Sequence, residues 1–183
     1  VDNALVEINN EEVPIMDGSS KDFLEILEKT ELVTQDKKRK YLKISSKIEL
    51  VDGERKISIE PNSSSLEVDF QLNYENKIIG KQKNIIDFQK DNLLDVSSSR
   101  TFCLYEDIEK IKKNGLAKGG NLDNAIVVKG NQILNSEKLR NEKEFVNHKI
   151  LDCIGDLYTS GYRIIASVNC SQGGHFLTNQ LLK

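Results

Sequence analysis

The stretch YLKISSKIELVDGERKISIE, residues 41–60, predicts a β-hairpin. Apolar side chains recur at Tyr41, Ile44 and Ile48 before the turn, and at Ile57 and Ile59 after it. The two-residue spacing of Ile57 and Ile59 turns one face of a strand towards a core, and an Asp-Gly pair such as residues 52–53 joins antiparallel strands. This hairpin predicts that the fold is built around a β-sheet.

The segments that follow alternate between strand and helix patterns. SSSLEVDFQLNY (63–74) predicts a strand, and NIIDF (84–88) predicts a strand or a short helix. Further along come a helix at 106–114 ended by Gly115, a buried strand at 125–128, a turn at 130–131, a helix at 142–159, a strand at 163–170 and a last helix from 176. This order predicts an α+β fold, a two-layer α/β sandwich in which helices cover one face of a mostly antiparallel sheet.

The first 40 residues carry weaker patterns. NALVEINN (3–10) predicts a short strand, and KDFLEILEKT (21–30) predicts a helix capped by Ser19 or Ser20. Pro14 and the Asp17-Gly18-Ser19 turn lie between the two, and the polar TQDKKRK (34–40) resembles a linker. One strand and one helix are too little for a domain of their own.

Composition excludes several classes of protein. The 183 residues have a net charge of −3 and a pI near 5.6, which argues against a nucleic-acid partner. We find no apolar run of about 18 residues, so no membrane-spanning segment is expected, and no signal peptide pattern is present. Three scattered cysteines, at 103, 153 and 170, indicate a reducing compartment such as the cytoplasm.

The helix at 142–159 carries one of the two histidines. His148, Asp152 and Asp156 follow one another at intervals of four, which places them on one side of a helix. Histidine and aspartate are zinc ligands, but a catalytic zinc site needs three protein ligands. The spacing alone therefore favours an ordinary His–Asp helix pair over a metal site.

The second histidine lies in SQGGHFLTN (171–179). His175 follows two glycines at the end of a predicted strand, where a histidine is well placed for proton transfer, although a surface loop histidine is an equal alternative. Asp156 can orient His175 if the two meet. Thr101, in SSSRTF (97–102), is a hydroxyl donor that reads first as part of a helix N-terminus.

Five segments carry a family resemblance. PIMDGS (14–19), SRTF (99–102), GLAKGGNLDNAIVV (115–128), LRNEKEFVNHKILDCIGDLY (139–158) and GGHFLTNQLL (173–182) occur in that order. Together they resemble the zinc-dependent UDP-3-O-acyl-N-acetylglucosamine deacetylases of lipid A biosynthesis. The resemblance implies two similar α/β domains with the active site between them. It divides the chain into 1–35, the end of the first domain, and 36–183, the second domain with an acyl-passage insert near 103–128.

The resemblance also implies residue roles. His148 and Asp152 resemble zinc ligands, and Lys149 resembles the lysine that meets the substrate diphosphate. His175 resembles the catalytic general acid, Asp156 its orienting carboxylate, and Thr101 a donor to the oxyanion. The residues that resemble the substrate-binding and acyl-passage positions are Phe102, Leu104, Ile108 and Gly120, and Asp17 resembles the aspartate of the MDGS loop.

One departure from the family pattern bears on activity. A third zinc-binding histidine and a glutamate base come from a T-x-E-H segment in the family, and these 183 residues contain none. We expect that segment upstream of Val1, and this chain to be an essentially inactive fragment. The alternatives are a non-catalytic domain that binds UDP-sugar or an acyl chain, and an α+β module in which both histidines are structural.

Overall fold

The computed structural model describes residues 1–115 and 117–183. Leu116, inside the predicted insert, lies outside the described residues. Within them the helices are α1 (Lys21–Glu28), α2 (Leu94–Ser97), α3 (Ile108–Lys113), α4 (Glu144–Tyr158) and α5 (His175–Leu182). The strands are β1 (Tyr41–Lys43), β2 (Ile48–Asp52), β3 (Arg55–Pro61), β4 (Leu66–Asn73), β5 (Lys81–Asp87), β6 (Phe102–Leu104), β7 (Ile126–Lys129), β8 (Gln132–Ile133) and β9 (Arg163–Ser171).

The main sheet has the strand order β2-β3-β9-β4-β5, and β1 pairs with the first residues of β9. The β2–β3, β3–β9 and β4–β5 pairs are antiparallel, whereas β9 runs parallel to β4 and β1. The predicted hairpin is present, with Asp52 paired to Arg55 and Gly53 at φ +60°, a left-handed conformation that glycine adopts without strain. The prediction of a mostly antiparallel sheet is confirmed.

Two helices cover one face of this sheet. Helix α4 packs against β4, β5 and β9, while α5 packs against β2, β3 and α4. Residues three or four apart on α4 share one face of the helix, and alternate residues of each strand share one face of the sheet. The apolar side chains of these two faces pack against each other. This core includes Phe145, Val146, Ile150, Cys153 and Leu157 from α4, and Val68, Phe70, Leu72, Ala166 and Val168 from the sheet. The predicted two-layer α+β architecture is confirmed.

A small second sheet lies beside the first. Strand β6 pairs with β7 in parallel, and β7 pairs with β8 across the turn at 130–131. A parallel pair needs a crossover connection, and the connection here contains a 3₁₀ turn, Tyr105–Asp107, followed by α3. The predicted helix at 106–114 and strand at 125–128 are thereby confirmed, each with ends shifted by a few residues.

The first 20 residues contradict the prediction of a strand at 3–10. They form neither helix nor strand, and Leu5 and Val6 are 87% and 74% exposed. An alternating pattern becomes a strand only when a neighbouring strand satisfies its backbone groups, and within the described residues no strand pairs with this segment. The helix predicted at 21–30 is present but ends at Glu28, and it buries none of its side chains.

Two further differences concern helix positions. Helix α2 was not predicted, because its four residues, LDVS, are too short to show a periodic pattern. His175 is the first residue of α5, whereas the sequence placed it in the preceding loop.

Within the described residues no helix is long and apolar enough to span a bilayer.

Candidate active site

His148 is held in one tautomer by the backbone. It lies on α4 with 9% of its surface exposed, and its Nδ1 is 3.0 Å from the carbonyl oxygen of Ser99. A carbonyl oxygen only accepts, so Nδ1 carries the proton and donates it. Burial lowers the pKa of His148, which favours the neutral ring. The unprotonated nitrogen is therefore Nε2, the arrangement typical of a metal-binding histidine.

Asp152 faces that nitrogen one turn further along α4. Its Oδ1 is 3.3 Å from Nε2 of His148, and its Oδ2 accepts a 2.7 Å hydrogen bond from Nζ of Lys149. Burial alone would raise the pKa of Asp152, but His148, Lys149 and His175 together hold it below its usual value. An ionised oxygen and an imidazole lone pair face each other at this point, and a cation between them would relieve the repulsion. The donor pair therefore fits two ligands of a zinc site.

His175 and Asp156 form the second pair of the site. Nδ1 of His175 lies 2.9 Å and 3.0 Å from the two carboxylate oxygens of Asp156. The predicted hydrogen bond is confirmed, and a carboxylate acceptor requires the proton to be on Nδ1. The His175 ring is 68% exposed, so its other nitrogen remains available to a substrate.

Both pairs lie on one side of the molecule. Helices α4 and α5 pack against each other, and a charge on His175 lowers the pKa of both His148 and Asp152. Asp152 and Asp156 are one turn apart on α4, and His175 binds Asp156, so the two pairs are neighbours. That His148, Asp152 and His175 line one cleft stays a prediction.

The segment Ser99–Phe102 crosses α4 next to His148. Its Ser99 carbonyl binds the His148 ring, and the Phe102 ring lies edge-on to His148 with centroids 6.4 Å apart. Between them, Thr101 is half-buried and donates its backbone N–H to Gly18 at 2.7 Å. Phe102 thus packs on the histidine that the family resemblance implies as a ligand, and Thr101 precedes Phe102 in the same segment.

The MDGS loop, near the N-terminus of the chain, contacts this segment through the bond between Gly18 and Thr101. Burial would raise the pKa of Asp17, but hydrogen bonds from Arg140 and Ser19 hold it low, and Arg140 Nη1 lies 2.6 Å from Oδ2. Gly18 has a φ of +83°, and a Cβ there would lie 1.7 Å from the carbonyl oxygen of Asn124. This close approach requires glycine.

The predicted acyl-passage residues lie along the small sheet. Leu104 ends β6, Ile108 begins α3, and Gly120 closes a turn by donating its N–H to Ala117. Beside them, residues 7–10, 12–15 and 117–119 line an open cavity of about 820 Å³. Leu104, Ile108 and Gly120 do not line this cavity, so their role in holding an acyl chain stays a prediction.

Two residues near the site were missed by sequence reasoning. Arg100 and Glu144 form a fully buried ion pair, with Arg100 Nε 2.8 Å from Glu144 Oε1. Glu144 precedes His148 by four residues, so its helical spacing placed it on the same face and could have revealed it. Among residues 1–115 and 117–183, no cluster of three or more His, Cys, Asp or Glu side chains could hold a metal.

Comparison with known proteins gives one consistent match. A family model described as UDP-3-O-acyl N-acetylglycosamine deacetylase (LpxC) matches residues 1–183. A relative from Francisella tularensis subsp. tularensis (strain WY96-3418) is 40% identical over 100% of this chain and 64% of its own length. Relatives from Idiomarina loihiensis and Haemophilus ducreyi are 38% and 37% identical, over 60% and 61% of their lengths. All three are named UDP-3-O-acyl-N-acetylglucosamine deacetylase, and the chain spans less than two thirds of each.

Proposed function

The chain belongs to the UDP-3-O-acyl N-acetylglycosamine deacetylase family, and we propose that it carries part of a zinc-dependent site for deacetylating UDP-3-O-acyl-N-acetylglucosamine. The observation that carries this proposal is the meeting of His148 with Asp152 on α4, beside the His175–Asp156 pair. In the cell this reaction would commit the UDP-sugar to lipid A synthesis, in the cytoplasm.

Two residues of this chain would hold the metal in the proposed site. Nε2 of His148 has a free lone pair because Nδ1–H is bound to Ser99, and Asp152 is ionised. The chemistry supplied by zinc at such a site is polarisation of the amide carbonyl and acidification of a water molecule. Histidine and carboxylate donors at one point fit zinc, and a structural or catalytic site requires at least one more protein ligand.

Three other side chains act on the substrate in this proposal. His175, oriented through Nδ1 by Asp156, delivers a proton from its other nitrogen to the leaving amine. The Thr101 hydroxyl donates to the oxyanion that develops on the acetyl oxygen. The Lys149 ammonium has three donors, so it can keep its bond to Asp152 and still donate to a phosphate oxygen of UDP.

We further propose that the 183 residues alone bind zinc weakly and turn over little substrate. The donor pair supplies two ligands, and no T-x-E-H segment provides a glutamate to deprotonate the attacking water. Loss of a general base typically lowers a rate on the order of a hundred- to ten-thousand-fold.

The chain's two histidines provide a matched test of zinc binding. Zinc affinity is measured by competition with a chromophoric chelator for the wild-type chain, His148→Gln and His175→Gln. We expect His148→Gln to abolish binding and His175→Gln to leave it unchanged, because His148 faces Asp152 whereas His175 binds Asp156. Equal affinities of the two variants would contradict the proposed ligand assignment.

Acetate release separates catalysis from binding alone. The chain and its Francisella tularensis relative are incubated with zinc and UDP-3-O-acyl-N-acetylglucosamine. We expect release by the relative and, by the chain, a rate at least about a hundredfold lower. Comparable turnover would show that these residues suffice, whereas UDP-sugar binding without any release, even with zinc bound, would favour a binding domain.

A further inference from the structure

The buried ion pair of Arg100 and Glu144 makes three hydrogen bonds between the segment Ser99–Phe102 and α4. The two side chains are 2% and 0% exposed. Glu144 Oε1 accepts from both the backbone N–H and Nε of Arg100, at 3.1 Å and 2.8 Å. Its Oε2 accepts from Arg100 Nη2 at 3.2 Å and from the backbone N–H of Arg140 at 2.6 Å. One carboxylate thus organises four donors from two separate parts of the chain.

The position of this carboxylate relates it to the candidate ligands. Glu144 and His148 are four residues apart on α4 and share one face of the helix. The segment crosses that face in order, so Arg100 meets Glu144 while the carbonyl of Ser99 meets Nδ1 of His148. The residue after Arg100 is Thr101. Any shift of the segment along α4 would move the Ser99 carbonyl and Thr101 together.

A second set of contacts holds the same segment from outside. The Arg140 backbone binds Glu144, and its Nη1 donates to Asp17 at 2.6 Å and to the carbonyl of Ser98 at 3.0 Å. The MDGS loop, through Gly18, in turn accepts the backbone N–H of Thr101. Glu144 therefore lies at the centre of a network that ends on Thr101 and on the carbonyl that orients His148.

We propose that Arg100 and Glu144 are positioning residues, which set the place of Thr101 and the tautomer of His148 relative to Asp152. This inference rests on the proposed function, because it assigns the pair a role in that site. A buried ion pair contributes little net stability compared with well-packed apolar residues, since desolvation offsets its attraction. Its multidentate geometry does, however, specify a single register between the segment and the helix.

The test reads the His148 ring directly by nitrogen-15 NMR of the metal-free chain. The wild type should show a slowly exchanging Nδ1–H and an unprotonated Nε2. In Glu144→Gln the segment loses its bidentate partner, and we expect the Nδ1–H signal to disappear or exchange rapidly. The matched control is Asp87→Asn, another buried carboxylate, whose partners are Ser65 before β4 and Gln89 and Lys90 after β5. It should retain the wild-type signal.

Zinc affinity gives the second measurement. Changes to groups that orient a ligand typically weaken metal binding about 10- to 100-fold; Glu144→Gln should lie near the lower end, and Asp87→Asn should match wild type. If Glu144→Gln does not fold, the double variant Arg100→Met/Glu144→Gln also removes the buried guanidinium, which in the single variant keeps only the exposed Glu137 as a charged partner. A folded variant of either kind with the wild-type ring signal would overturn the proposal. Absence of zinc binding by the wild type would instead refute the proposed function, and the NMR signal would still decide the positioning role.

Discussion

The glycine pair before His175 should tolerate alanine at one position and not at the other. A Cβ on Gly173 would lie 2.2 Å from Sγ of Cys170, about 1.3 Å closer than the ~3.5 Å at which carbon atoms touch. Cys170 is 3% exposed and packs in the core, so its thiol has no free space to enter. At Gly174 a Cβ meets no heavy atom within 4 Å, and its φ of −167° is open to any residue.

The expected cost follows from this geometry. Gly173→Ala should lower the free energy of unfolding by about 1–3 kcal/mol, as overpacked cores do, and the melting temperature by about 2–4 °C per kcal/mol. Gly174→Ala should stay within about 0.5 kcal/mol of wild type. Urea titrations followed by circular dichroism measure both values.

The variant Cys170→Ala tests whether the thiol contact causes the expected loss of stability. Cys170→Ala removes the sulfur atom, so adding Gly173→Ala to it should cost about 1–2 kcal/mol less than adding it to wild type. Equal losses from the two glycine variants, or an unchanged cost in the Cys170→Ala background, would show that the thiol contact does not set the requirement for Gly173.

Three further outcomes follow from single sites. Phe145 is fully buried, so Phe145→Ala should cost about 3–5 kcal/mol in urea titration; a loss below about 1 kcal/mol would contradict its core position. A hydrogen bond from Lys90 is the main cause that lowers the pKa of Asp87 from 3.8 to about 2, so the ionised carboxylate stabilises the fold at neutral pH and that contribution is lost as the pH falls through this range. The stability difference between wild type and Asp87→Asn should therefore shrink as the pH falls, and a constant difference would refute the linkage. Lys149→Met should weaken UDP binding in calorimetry, whereas Lys129→Met, whose ammonium lies over a tyrosine ring, should not; equal effects would remove Lys149 from the proposed phosphate contact.

Local pattern was sufficient to predict most of the elements. The apolar pattern at 41–60 and 63–74 and the Asp-Gly turn depend on residues close to one another in sequence, and the hairpin and β4 formed as predicted. The first arm of the hairpin is nevertheless divided into β1 and β2, because β1 pairs with β9 instead. The same holds for α4, whose apolar spacing requires no knowledge of its partners. His148, Asp152 and Asp156 could be placed on one face for the same reason.

Tertiary contacts overrode local pattern elsewhere. The alternation at 3–10 predicted a strand, but strand formation depends on a pairing partner, which local sequence does not specify. Asp156 and His175 are 19 residues apart, and the sequence alone could not show whether they meet. The packing of α5 on α4 brings them within a 2.9 Å hydrogen bond.

The sequence by itself determined the α+β class, the helix face that carries the donor pair, and the family to which the chain belongs. These depend on residue order and on periodicities of two and 3.6, which are local properties of the backbone. Only the tertiary structure decided the tautomer of His148 and the burial of the Arg100–Glu144 ion pair. Both depend on the Ser99–Phe102 segment, more than 40 residues away along the chain, and the chain's folding, which no local pattern encodes, brings it onto α4.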